Sequence, residues 1–462
     1  MESPQLSLMT NQELRSLPVV SRIRSFLDSR HLQHNAIDVF ARYITRFGNT
    51  FIFYIGGIKK VIITIDPAVL QHVLKDNDSN YRKSEIQTKR VEQFLGQGVL
   101  TKHGEPWRTE RALIQQSFRA DKLAAMAAPM HVALNRAFQH FDQEILKGPI
   151  DIFPHLRDMA FAMVARSLFS AKLTDDEALL MSNAITEIQE FIFRWTVHPY
   201  LTPWFALSGQ LRKYKRMRRE AESILRNHIR NRRRERSMDF DLLQSLLDAR
   251  YGAGSKGMSD EQVLSDIVQI LVAGHMPSSS ALSWALYLLS RHPDYLQSAR
   301  EEFDTVVGDG PLQFSHVQDL RLNIQILDEG LRVYPPFWMI DRVALADDRV
   351  GRVCIPKGTT VLAYIYGAHH DSSYWDNPDA FVPERFNKEA KKGHRGFSYV
   401  PFGGGPRGCL GASYAVLQML MILNRITRNY DFELCPGHSV ELNPEISLKA
   451  RHGIVMRFTR RQ

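Results

Sequence analysis

The residue with the most chemistry to offer is Cys409, set in the stretch PFGGGPRGCLG from Pro401 to Gly411. Three successive glycines and a fourth at Gly408 allow turns closed to residues with a Cβ, so the backbone can press against a flat ligand and hold one side chain at a fixed point. The apolar segment ASYAVLQMLMILNRI follows at once and reads as a helix. A cysteine at a helix start is biased toward thiolate, the form that binds metal. A buried structural cysteine in a glycine-rich turn is the alternative for that residue taken alone. The elements that must position it are this helix, a long apolar helix spanning Asp260 to Arg291, and β-rich runs on either side of the middle of the chain.

Phe402, Gly405, Arg407, Cys409 and Gly411 reproduce in full the cysteine-loop pattern of the cytochrome P450 family, and the chain resembles that family. The resemblance implies haem b held by the Cys409 thiolate, an axial ligand that favours O–O cleavage. It implies that Phe402, Gly403, Arg407 and Gly411 lie against the cofactor. It also implies haem-propionate contacts from Trp107 and Arg111, which match the W-x-x-x-R pattern in HGEPWRTER, and from Arg342 and His369, with His103 as a further candidate. Arginine suits that task because its planar fork pairs bidentately with a carboxylate. Taken alone, Trp107 and Arg111 also read as an ordinary cation–π pair four residues apart on one helix face.

The long central segment reads ILVAGHMPSSSALSWALYLL and departs from the family. Ala273, Gly274 and Ser278 match its oxygen-side pattern and His275 fills the variable place, but Met276 stands where an acid is expected and Pro277 where a threonine is expected. In ordinary members that acid and that hydroxyl relay protons. Methionine has no titratable proton, and proline has neither hydroxyl nor N–H. Ser278, Ser279 and His275 are the neighbours that carry exchangeable protons; a shift of one position turns a side chain by about 100° around the helix. Three readings stay open: ordinary monooxygenation with protons from water or substrate, a redox-independent or peroxide-driven reaction, and, more remotely, a haem-binding protein without turnover.

Glu329 and Arg332 are three apart on one helix face, and with Arg385 in PERF they resemble the family's structural Glu–Arg–Arg network. Phe94, Val99, Phe337, Trp338 and Met339 are the residues expected at the substrate pocket, although aromatic and Met residues are equally typical of core. The expected fold is mainly α with a smaller β-rich part at about 48–66 and 340–366, as one P450 domain over residues 1–462. Breaks are expected near Pro199–Pro203 and around Ser237, and Ser259 with Gln262 reads as a capping box.

A hydrophobic fraction of 44% and a charged fraction of 24% suit a globular protein. No apolar run is long enough for a membrane-spanning helix, and the N-terminus lacks the pattern of a secretory signal. The resemblance is therefore to the soluble, bacterial kind, with a cytoplasmic location expected. The three cysteines, 354, 409 and 435, form no CxxC pair. A basic run, Arg212 to Arg236, contributes much of the net charge of +9 and reads as a solvated helix face, with no nucleic-acid motif beside it. No electron-transfer module is recognisable, so separate ferredoxin and reductase proteins are expected to serve a small-molecule substrate.

Overall fold

The computed structural model describes residues 17–170, 173–198, 201–235, 241–251, 257–391 and 396–461. It falls into two compact units, one of Met1–Ser84, Phe337–Ala380 and Lys392–Cys409, the other of Glu85–Pro336, Phe381–Lys391 and Leu410–Gln462.

The first unit is built on a sheet. Strands β1 (Thr50–Ile55) and β2 (Lys59–Thr64) form a hairpin around Gly56-Gly57 in the expected β-rich part, with Thr50 opposite Thr64 and Ile55 opposite Lys59. Three more strands complete it: β3 (Tyr81–Arg82), β4 (Ile340–Ala344) and β5 (Thr360–Ala363), in the order β1-β2-β5-β4-β3. Phe51, Phe53, Val61 and Ile63 pack on one face with Val39, Phe40 and Tyr43 of the helix Leu32–Phe47. Ile52, Ile62 and Val361 pack on the other with Val69 and Val73. Both faces are covered, which is why these strands read as near-continuous apolar runs rather than alternating ones. Each such side chain contributes about 1.5–3 kcal/mol by burial. That helix is kinked near its start, at a non-helical Asn35.

The second unit is mainly helical, and five of its helices carry the argument: α1 (Gly104–Gln115), α2 (Ile152–Phe169), α3 (Asp260–Arg291), α4 (Arg321–Val333) and α5 (Ala412–Asn429). Helix α3 is apolar almost all round, and a helix of that kind is buried on most sides. It lies closely against α2 at Gly274, where a Cβ would come within 3.0 Å of Val164. Its start is half of the expected capping box: the Ser259 hydroxyl accepts the Gln262 N–H at 3.3 Å, but the Gln262 side chain turns instead to the Lys102 ammonium, 2.6 Å away. The competing charge takes the amide oxygen.

The basic run forms a helix, Gln210–Arg234, whose arginines meet acids: Arg218 with Glu222 at 2.5 Å, Arg233 with Asp260 at 2.6 Å and buried Arg232 with Asp241 at 2.7 Å. Of the breaks expected around it, residues 199–200 and 236–240 lie outside the described residues; the flanking helices stop at Val197 and Arg234 and resume at Thr202 and Leu242. A final strand, Val455–Arg460, pairs with Tyr430–Leu434 and Ile150–Asp151. Among the described residues, no helix is long and apolar enough to cross a membrane.

Candidate functional site

In the first unit the cysteine loop is fixed by its own backbone. The Cys409 N–H donates to the Phe402 carbonyl at 2.8 Å, Gly408 N–H to Gly405 at 3.0 Å and Gly403 N–H to Val400 at 3.0 Å. Gly405 has φ +64°, and a Cβ there would sit 2.1 Å from the Leu74 carbonyl, so no other residue fits. The loop closes on itself while the Cys409 thiol stays exposed. Just upstream, the Val400 N–H donates to Nε2 of fully buried His369 at 3.0 Å, with Tyr399 against the imidazole. His369, expected as a carboxylate contact, is thus engaged in bracing the entry to the loop.

Two arginines share the unit with that thiol. Arg342, on β4, is 5% exposed, and its Nη1 donates to the adjacent Asp341 carbonyl at 2.8 Å. Its Nε is buried without a hydrogen-bond partner among the described residues. Burial, then the neighbouring Arg407 guanidinium, push the Arg342 pKa down to about 10. Arg407 is equally enclosed and lies 3.4 Å from Asp78. Two enclosed guanidiniums that repel one another, with the Asp78 carboxylate beside Arg407, form a site that an added anion would suit.

In the second unit Trp107 is buried on α1, and the half-exposed Arg111 guanidinium stands 5.7 Å from its ring, a cation–π pair. His103 is at the N-cap of α1, exposed, and its side chain caps nothing. The fixed cluster of this unit is on α4: Arg332 donates to Glu329 at 2.7 and 2.8 Å, Arg385 reaches the same carboxylate at 3.3 Å, and the Val382 N–H adds a bond of 2.9 Å.

Helix α3 sorts its unusual motif by direction. Ala273 is exposed in the middle of this otherwise buried helix, and Gly274 and Pro277 are half-buried. His275, Met276, Ser278 and Ser279 are buried. The His275 ring meets Phe161 of α2 edge-on at 5.2 Å, and its Nδ1 donates to the Leu271 carbonyl at 2.5 Å. Burial pushes its pKa down to about 4. The expectation of an oxygen-side proton carrier at His275 is therefore corrected: the imidazole is neutral and points into the interface with α2, because two residues, about 200° of helical rotation, carry it off the face of Ala273. Ser279 is likewise turned inward, its hydroxyl donating to the His275 carbonyl at 2.6 Å.

Of the residues expected at a pocket, Phe94 is core, edge-on to Phe191 at 5.8 Å and Trp195 at 6.4 Å. With Leu271 and Val272 it borders an apolar cavity of about 30 Å³, room for one water. The Val99 N–H donates to Asp266 at 3.2 Å. Trp338 and Met339, both half-buried, pack on the core of the first unit, while Phe337 is 42% exposed. The sequence reading passed over one buried polar cluster. Asp266 and Gln269 on α3 bind the backbone N–H groups of Val99 and Leu100, and Lys102 bridges Glu110 to Gln262. Burial and the Glu110 carboxyl hold the Asp266 pKa well above the usual range. Two polar residues, i and i+3, in an apolar helix were the available signal.

A family model described as Cytochrome P450 matches residues 15–457. Among similar proteins are "Cytochrome P450 716A67" of Medicago truncatula, 28% identical, covering 88% of this chain and 80% of that protein; "11-oxo-beta-amyrin 30-oxidase" of Glycyrrhiza uralensis, 27% identical, covering 89% and 80%; and "Cytochrome P450 3A41" of Mus musculus, 27% identical, covering 86% and 81%.

Proposed function

Because the chain belongs to the cytochrome P450 family of haem-thiolate oxidoreductases, we propose that it oxidises a small organic substrate with dioxygen, using electrons from a separate ferredoxin and reductase. The observation that carries this reading is the Arg342–Arg407 pair, buried cations in the same unit as an exposed thiol held by a self-closed loop. Those residues fit haem b. Cys409 would ligate the iron, and Arg342 and Arg407 would hold propionate carboxylates. When bound, the cofactor supplies the oxidant. The protein's part is to bind substrate, exclude water and hold protons at fixed atoms. Ala273, Gly274 and Pro277 give α3 its accessible face, and Phe337 is the pocket candidate with open surface. The proposal extends to specialised metabolism, in keeping with the plant oxidase named above.

A second reading, a peroxide-driven or redox-independent reaction, is favoured by one observation: at the two relay positions Met276 is buried and Pro277 has no proton to give. Purified holoprotein separates the two. Turnover that requires NAD(P)H, ferredoxin and reductase supports the first, and turnover with hydrogen peroxide alone supports the second. A reduced carbon monoxide spectrum without the thiolate-type band would sink both.

A further inference from the structure

In an α-helix each carbonyl accepts the N–H of the residue four ahead. On α3 the carbonyl of Ala273 would take that bond from Pro277, which has no N–H. The helix nevertheless runs through Pro277 without a break, 32 residues from Asp260 to Arg291. A helical carbonyl points along the axis toward residue i+4, on the face that residues i and i+4 share. For Ala273 and Pro277 that is the one mid-helix face with access: Ala273 is exposed and Pro277 half-buried.

Neighbouring carbonyls gain a side-chain donor. Leu271 takes the His275 Nδ1–H at 2.5 Å, His275 takes the Ser279 hydroxyl at 2.6 Å, and Ser279 takes the Ser283 hydroxyl at 2.8 Å. Among the described residues, no side chain does this for Ala273. Nor does the face bring a donor of its own, since Met276 is buried and lacks one, and His275 is directed at Phe161.

We propose that the Ala273 carbonyl, released by Pro277, is a substrate-anchoring acceptor that selects small organic molecules carrying a hydroxyl or N–H donor over isosteres without one. This rests on the reading above, that the accessible face of α3 bounds the substrate chamber. An acceptor in such a setting loses water when a ligand enters, so a ligand that leaves it unpaired is disfavoured. A donor on the substrate would be held at a fixed point, and it would also bring to this face the exchangeable proton that Met276 and Pro277 lack.

The test uses holoprotein and a matched pair of probes, cyclohexanol and methylcyclohexane, with binding measured by calorimetry. Wild type is expected to favour the alcohol, and both Pro277→Ala and Pro277→Val, which restore the N–H, are expected to cut that preference about three- to tenfold. Valine keeps the bulk near that of proline, so a loss confined to Pro277→Ala would mark a volume effect and overturn the proposal. An unchanged preference in both variants would overturn it too. The carbon monoxide spectrum is taken alongside. A thiolate band in all three proteins with unchanged preference sinks this inference alone, whereas a wild type without the band sinks the reading beneath it.

Discussion

Two buried arginine clusters, one in each unit, differ in how completely their charge is met. Arg332 in the second unit is fully buried, and it is matched by two bonds to Glu329, whose carboxylate also takes Arg385 and the Val382 N–H. Arg342 in the first unit is almost as deeply buried, yet its Nε has no hydrogen-bond partner among the described residues and the Arg407 guanidinium acts on it more strongly than the Asp341 or Asp78 carboxylates. Burying a cation without a carboxylate is costly, and a fold retains such an arrangement where a ligand completes it. A closed cluster therefore belongs to the fold and an open one to a ligand, although both are "buried arginine" by any count of exposure.

The sharpest way to break that distinction is to open the closed cluster. Glu329→Gln leaves Arg332 buried without a carboxylate and should destabilise the protein by about 3–5 kcal/mol. The loss should appear equally in apoprotein and holoprotein when unfolding is followed with denaturant. A loss seen only in holoprotein would mean that the cluster serves the cofactor rather than the fold.

Opening the other cluster should do the reverse. Arg342→Ala should weaken haem binding about ten- to a hundredfold, the range for a lost charged hydrogen bond. The melting temperature of the apoprotein should stay level or rise, because an unmatched buried cation has gone. Titrating haem into apoprotein and melting the same samples checks both halves. An apoprotein destabilised as strongly as Glu329→Gln would show Arg342 to be structural.

The sequence made these regions legible to different depths, for physical reasons. The cysteine loop is short and local, so five residues fix its pattern without knowledge of the rest of the chain. The hairpin at Gly56-Gly57 and the apolar helix α3 were legible on the same ground, since turn chemistry and apolar patterning are local properties. What stayed hidden depends on phase and on distance in sequence. His275 and Ala273 are two residues apart, and only the helical rotation sends one to Phe161 and the other to open surface. Asp266 and Glu110 come from distant stretches, and nothing in either stretch announces the other. The closeness of Arg342 to Arg407 is likewise a product of tertiary packing, so sequence could name both as carboxylate partners without showing that they stand beside one another.

His275 shows a third way to bury a base, which is to discharge it. Its Nδ1–H is used by the Leu271 carbonyl, its Nε2 has no partner among the described residues, and burial, with Arg157 and Lys449 adding to it, holds the pKa near 4. An unfolded histidine titrates near 6.5. With the folded value depressed, the unfolded chain takes up the proton first, so His275 supports the fold above about pH 6.5 and that support is lost as pH falls toward 4. Between pH 7 and pH 5.5 the loss should be about 1 kcal/mol, the smallest of these effects. His275→Phe keeps a ring against Phe161 and removes the titration, so its denaturant midpoint should fall less than that of wild type over the same interval. Equal slopes in the two proteins would mean that His275 takes up its proton in the fold as readily as in the unfolded chain, and below about pH 6.5 it would then stand with the open arginine as a buried charge in want of a partner.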